Sequence, residues 1–109
     1  MTELEKRIIA AQAAGQAWAR AEEKWFLLDE TRKSVLAQLQ GDLDDGVTSE
    51  AKLERLARSS KPWKDHIAAL AIAKGEMLRA KVRYESSVAY YEAERTSEST
   101  RRTMVSRGL

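Results

Sequence analysis

The 109-residue chain has no cysteine, which removes any disulfide framework and any thiolate metal site and suits a reducing compartment. It has one proline, Pro62, so nothing elsewhere forces a helix to break for want of a backbone N–H. Glycine occurs only five times, and no run has the G-x-x-x-x-G-K-S/T or G-x-G-x-x-G spacing that cradles phosphates or dinucleotides. No apolar stretch nears the roughly 18 residues of a membrane span, and the N-terminus lacks a basic-plus-apolar leader. The expectation is a cytoplasmic protein with no membrane association and no cofactor.

What the chain has in abundance is charge, 33% of residues against the usual quarter, set among alanine and leucine. That mixture is typical of long helices with solvated faces. The net charge of +2 is unevenly spread: residues 1–50 carry 6 basic and 10 acidic groups, residues 51–109 carry 13 and 7. Antiparallel helices would attract one another on this pattern, and the basic half could face an anionic partner.

Helical spacing organises both halves. Leu4, Ile8, Ala11, Ala14, Trp18, Ala21, Trp25, Leu28, Arg32, Val35 and Leu39 recur in steps of three and four. Thr2 followed by Glu5 supplies a capping box, and Gly15 costs about 1 kcal/mol relative to alanine without ending the helix. The spacing predicts a helix over about 3–40, ended by Gly41 in a left-handed cap, then a loop over 41–47. Thr48 or Ser49 can cap a short helix to about 58.

A long helix is predicted over about 61–97, with serine before it and Pro62 in its first turn. Its heptad seam is Trp63, Ile67, Leu70, Lys74, Met77, Lys81, Tyr84, Val88 and Tyr91. A second ridge, Leu70, Ala73, Met77, Ala80, Tyr84, Ser87 and Tyr91, has small residues that would admit a close partner. Residues 98–109 read as a polar, basic tail that frays or orders on a partner.

The predicted fold is therefore all-α: one domain over 1–109, a long antiparallel helical hairpin with a short intervening helix. Two rods alone bury three tryptophans poorly, so a homo-oligomer is expected, most simply a dimer completing a four-helix bundle. Trp18, Trp25, Leu28, Trp63, Ile67, Leu70, Met77, Tyr84 and Tyr91 are the candidates for packing or for that interface. Within one chain, the short helix could instead cover part of the open face.

Catalytic and metal chemistry find no constellation. Gly41-Asp-Leu-Asp-Asp-Gly46 resembles a calcium loop in composition only. With Asp42 at position 1, Gly46 falls at position 5, where an oxygen ligand is needed, so turn chemistry explains the loop. The lone His66 has no nucleophile or orienting partner by motif, and the carboxylates pair with bases at helical spacing. No enzyme, no metal site and no catalytic residue are expected.

The remaining feature is a basic stripe, Lys74, Arg79, Lys81, Arg83, Arg95, Arg101 and Arg102, interleaved with Tyr84, Tyr90 and Tyr91. Cations that track phosphates beside rings that stack on bases are what sequence-tolerant single-strand binding needs. The competing reading places Tyr84 and Tyr91 in the core with the lysines snorkelling from the seam.

The segment Lys81-Val-Arg-Tyr-Glu…Tyr91-Glu-Ala-Glu-Arg-Thr-Ser-Glu-Ser-Thr-Arg-Arg102 resembles the C-terminal end of small helical proteins encoded by tailed phages and prophages. The resemblance covers about a quarter of the chain. It implies an accessory role near recombination or replication functions and supplies no activity.

The leading expectation is a non-enzymatic accessory protein that binds DNA, single strands favoured, or a DNA-processing complex. The alternative is a protein-binding inhibitor or adaptor of a host defence or nuclease complex, working through its acidic first helix with no nucleic-acid affinity.

Overall fold

The computed structural model describes residues 1–108, and every described element is a helix: α1 (Glu3–Glu30), α2 (Arg32–Leu43), α3 (Glu50–Arg58) and α4 (Lys61–Ser106). The fold is all-α, with antiparallel helix pairing of the hairpin kind. No helix among the described residues is long and apolar enough to cross a membrane.

The helices start where the sequence provides acceptors. The Thr2 hydroxyl takes the Glu5 amide at 3.1 Å, satisfying one orphan donor of α1. Ser49 accepts from the Lys52 amide at the start of α3. The Ser60 hydroxyl donates to the Ala57 carbonyl at 2.6 Å and accepts from the Trp63 amide at 3.4 Å, so one side chain closes α3 and opens α4.

Three boundaries differ from the sequence reading. The first rod is interrupted at Thr31, whose hydroxyl donates to the Leu27 carbonyl at 2.8 Å and the Leu28 carbonyl at 3.3 Å. Such back-bonding bends helices. Gly41 is not a left-handed cap: α2 continues through it to Leu43, and the loop's positive-φ glycine is Gly46 at 78°. The turn lies where aspartate side chains hold it. Asp44 Oδ1 accepts from the Gly46 amide, and Asp45 Oδ1 accepts from the amides of Val47 and Thr48.

The third difference is the length of α4, which runs past position 97 to Ser106 and takes up most of the polar tail. Glu98 reaches Arg101 at 3.5 Å and Arg102 at 3.8 Å, and the Thr103 hydroxyl bonds the Ser99 carbonyl. These one-turn pairs support helix without an apolar face.

The chain divides into two compact units. Unit 1 joins Met1–Arg20 to the part of α4 from Met77 onward. Its helices run antiparallel, with Arg7 over the Tyr90 ring and Trp18 against Tyr84 at 5.4 Å between centroids. Met77 and Ala80 are its buried residues. Gly15 makes the pairing close, since a Cβ there would stand 3.2 Å from the Tyr84 ring.

Unit 2 spans Ala21–Glu76, with Leu53, Ala57, Trp63 and Ala73 buried. Trp63, only 7% exposed, lies at its centre. The His66 ring stacks on it at 6.1 Å and 21°, and the Arg58 guanidinium lies 5.7 Å from the Trp63 ring centroid. His66 Nε2 sits 3.0 Å from the Leu28 carbonyl oxygen. A carbonyl only accepts, so Nε2 carries the proton, and the bond braces α4 against the end of α1.

On α4 the ridge of small residues forms the packed face. Ala73, Met77 and Ala80 are buried, and Leu70, Tyr84, Ser87 and Tyr91 are half-buried. Ile67, placed in the heptad seam by sequence, is 38% exposed, and Lys74, Lys81 and Arg32 are exposed. Methyl-sized side chains let the helices approach closely, and the wider seam residues rotate to the edge. On α1 the seam positions Leu4, Ile8, Ala11, Ala14, Trp18, Ala21, Trp25 and Leu28 are all half-buried.

Candidate functional site

The seven candidate cations all lie on α4, and all are exposed. Their positions separate them. Lys74, Lys81, Arg95 and Arg102 are spaced in multiples of seven, which keeps them near one flank. Arg79 and Arg83 are one turn apart on a different face, and Arg101 follows Arg83 by 18 residues, five full turns.

The heptad flank is already engaged within the chain. In unit 2 the Lys74 ammonium lies 5.9 Å from the Trp25 ring centroid. In unit 1 Lys81 lies 6.0 Å from the Trp18 ring and 3.9 Å from Glu85. Arg95 sits 6.0 Å from the Tyr91 ring, and Arg102 reaches Glu98. A cation over an indole at this distance contributes about 0.5–1 kcal/mol at an exposed site. The lysines that break the apolar seam therefore complete it, covering tryptophan faces with their stems and heads.

The rings proposed as base-stacking platforms are taken up as well. Tyr84 packs against Gly15 and Trp18, and Tyr91 is half-buried beneath Arg95. Their open edges line an apolar groove with Ile8, Ala11 and Val88. Tyr90 is exposed, but Arg7 covers its ring at 5.1 Å.

Arg79 and Arg83 differ from the rest. Among the described residues neither has a carboxylate or ring partner. With Leu78 and Val82 they surround a shallow, open depression on the outer side of α4. Leu78 is 47% exposed and Val82 60%. Two parallel rows one turn long result, Leu78–Val82 apolar and Arg79–Arg83 cationic. The sequence reading singled out the arginines and missed the apolar row, although the Leu78–Val82 spacing of four was visible beside them.

Among the described residues no group of three His, Cys, Asp or Glu side chains is placed to hold a metal ion. The perturbed carboxylate is a structural one. Asp45 is held down at about 2, chiefly by the Thr48 and Val47 amides and the Thr48 hydroxyl that it accepts from. Lys61 is shifted upward by its hydrogen bond to the Asp65 carboxylate. Both groups serve turn and first-turn geometry.

The chain matches no family model, no curated protein and no solved structure.

Proposed function

We propose that the protein is a non-enzymatic helical binding module whose working surface is the outer face of α4 at Leu78–Arg83. The preferred partner is a protein helix bearing apolar and acidic residues. The observation that carries this reading is the unpaired Arg79–Arg83 row beside the exposed Leu78–Val82 row. An arginine pair gives a partner carboxylate its charge-assisted bonds, and the apolar row supplies the area that burial rewards. In a phage-encoded setting, as the C-terminal resemblance implies, such a module would serve as an adaptor or inhibitor of a defence or nuclease complex.

A second reading, contact with DNA, is favoured by the charge of unit 1, which carries 10 basic and 6 acidic groups. Exposed pairs such as Lys81–Glu85 are weak enough to yield to phosphates. With Tyr84 and Tyr91 engaged in packing, such contact would rest on charge, and the preference for single strands loses its stacking platform.

One titration separates the readings: fluorescence anisotropy of a fluorescein-labelled amphipathic Leu/Glu helical peptide, beside single- and double-stranded oligonucleotides, at about 50 and 200 mM salt. Peptide binding that falls at least tenfold in the Arg79→Glu/Arg83→Glu variant supports the helix-binding surface. Oligonucleotide binding that drops steeply with salt, with no peptide binding, transfers the function to DNA.

A further inference from the structure

Self-complementarity extends this surface. On α1, Glu23, Phe26, Leu27 and Glu30 occupy positions i, i+3, i+4 and i+7 and so share one helix face. Phe26 is 53% exposed and Leu27 56%. Among the described residues neither Glu23 nor Glu30 has a basic partner, although Lys24 and Arg32 nearby do have acidic ones. The patch is an apolar pair with a free carboxylate one turn to each side.

It is the counterpart in kind of the α4 surface, an apolar pair with two free guanidinium groups. The loop near Leu43 and Val47 also combines apolar and acidic residues, but Asp44 and Asp45 are committed to the turn, which leaves Asp42 as its one carboxylate without a partner among the described residues. Asp44 holds the Gly46 amide, and Asp45 holds the Val47 and Thr48 amides. The Glu23–Glu30 face, by contrast, is a regular helix surface with two exposed apolar side chains between two carboxylates that have no basic partner among the described residues.

We infer that the occupant of the Leu78–Arg83 surface is a second copy of this chain, docked through its Glu23/Phe26/Leu27/Glu30 face. This rests on the helix-binding reading of that surface and names its partner. Each copy carries both halves of the contact, one in each unit. Phe26 and Leu27 cover Leu78 and Val82, and Glu23 and Glu30 meet Arg79 and Arg83 at the rim. Charges at a rim set register and association rate, and the apolar centre supplies affinity.

The test is a charge swap followed by sedimentation velocity on the full chain at about 50 and 500 mM salt, at protein up to about 200 µM. Wild type is expected to sediment as a dimer or larger at the lower salt. Arg79→Glu/Arg83→Glu alone opposes acid to acid, and Glu23→Arg/Glu30→Arg alone opposes base to base; each is expected to be monomeric. Mixed in equal amounts, the two variants face acid to base whichever surface of one meets the other, and are expected to associate again. All substituted positions are exposed on helices, so unchanged circular dichroism confirms that the variants fold.

A monomeric wild type at the highest concentration overturns the inference, as does a wild-type-like dimer in either variant alone. If wild type is monomeric while the Leu/Glu peptide still binds and loses binding in Arg79→Glu/Arg83→Glu, the helix-binding surface stands and only the second copy falls. If neither binds, both fall.

Discussion

At the scale of single residues, two glycines in helices carry opposite consequences. Gly41 lies inside α2 with nothing within 4 Å of where a Cβ would stand. Gly41→Ala therefore gains the helix propensity of alanine and meets no obstacle. Thermal unfolding should show stabilisation of about 0.5–1 kcal/mol. Had Gly41 been a left-handed cap, the same change would destabilise. A Cβ on Gly15 would stand 3.2 Å from the Tyr84 ring, which also packs against Trp18. A bulkier Gly15→Val has no room and should lower stability by about 1–3 kcal/mol, as overpacking does. Trp63, the most buried aromatic, should cost about 3–5 kcal/mol as Trp63→Ala, well above the half-buried Trp25→Ala.

At the scale of elements, two aspartates hold the turn between α2 and α3, and one of them titrates away from its usual range. Asp45 is held at about 2 by the amides and hydroxyl it accepts from, below its unfolded value of about 3.9. A depressed carboxylate contributes stability that is fully present above the unfolded value and is lost as pH falls through the folded one. The turn should therefore loosen between about pH 4 and pH 2. Amide exchange at Val47 and Thr48, followed by NMR, should accelerate across that window, and the Asp45→Asn variant should show no such step. The helices themselves were legible in the sequence because their period is local. Thr2, Ser49 and Ser60 announced the caps, and the α1 seam held from Leu4 to Leu28. What was not legible is either a choice between competing local signals or a contact with a partner distant in sequence. Gly41 resembled a cap until aspartates three and four residues later were seen to place the turn. Glu98 extended α4 because two arginines followed within a turn. The basic stripe was legible as positions, but its division was not. Only Trp18 and Trp25, on another helix, reveal that Lys81 and Lys74 are engaged and Arg79 and Arg83 are free.

At the scale of the molecule, burial is thin. Among the described residues the core consists of Leu53, Ala57, Trp63, Ala73, Met77 and Ala80, three of them alanines, whereas 14 large apolar side chains are exposed. Buried apolar area is the main favourable term in folding, and a chain with so little of it gains most from surface it can cover by association. A partner that binds only the folded state adds stability that grows with concentration, about 2.7 kcal/mol at a hundred times its dissociation constant. For a domain of about 100 residues each kcal/mol moves Tm by about 4–8 °C. Raising the protein from about 5 to 500 µM should therefore raise Tm by several degrees if copies dock through α1 and α4. The Arg79→Glu/Arg83→Glu variant should melt at a temperature independent of concentration, near that of dilute wild type. Differential scanning calorimetry over that range reads both. A wild-type Tm that does not move means that the exposed apolar rows of α1 and α4 meet no second copy. The stability of the isolated chain would then rest on the six residues buried among those described and on the tryptophan faces covered by Lys74 and Lys81.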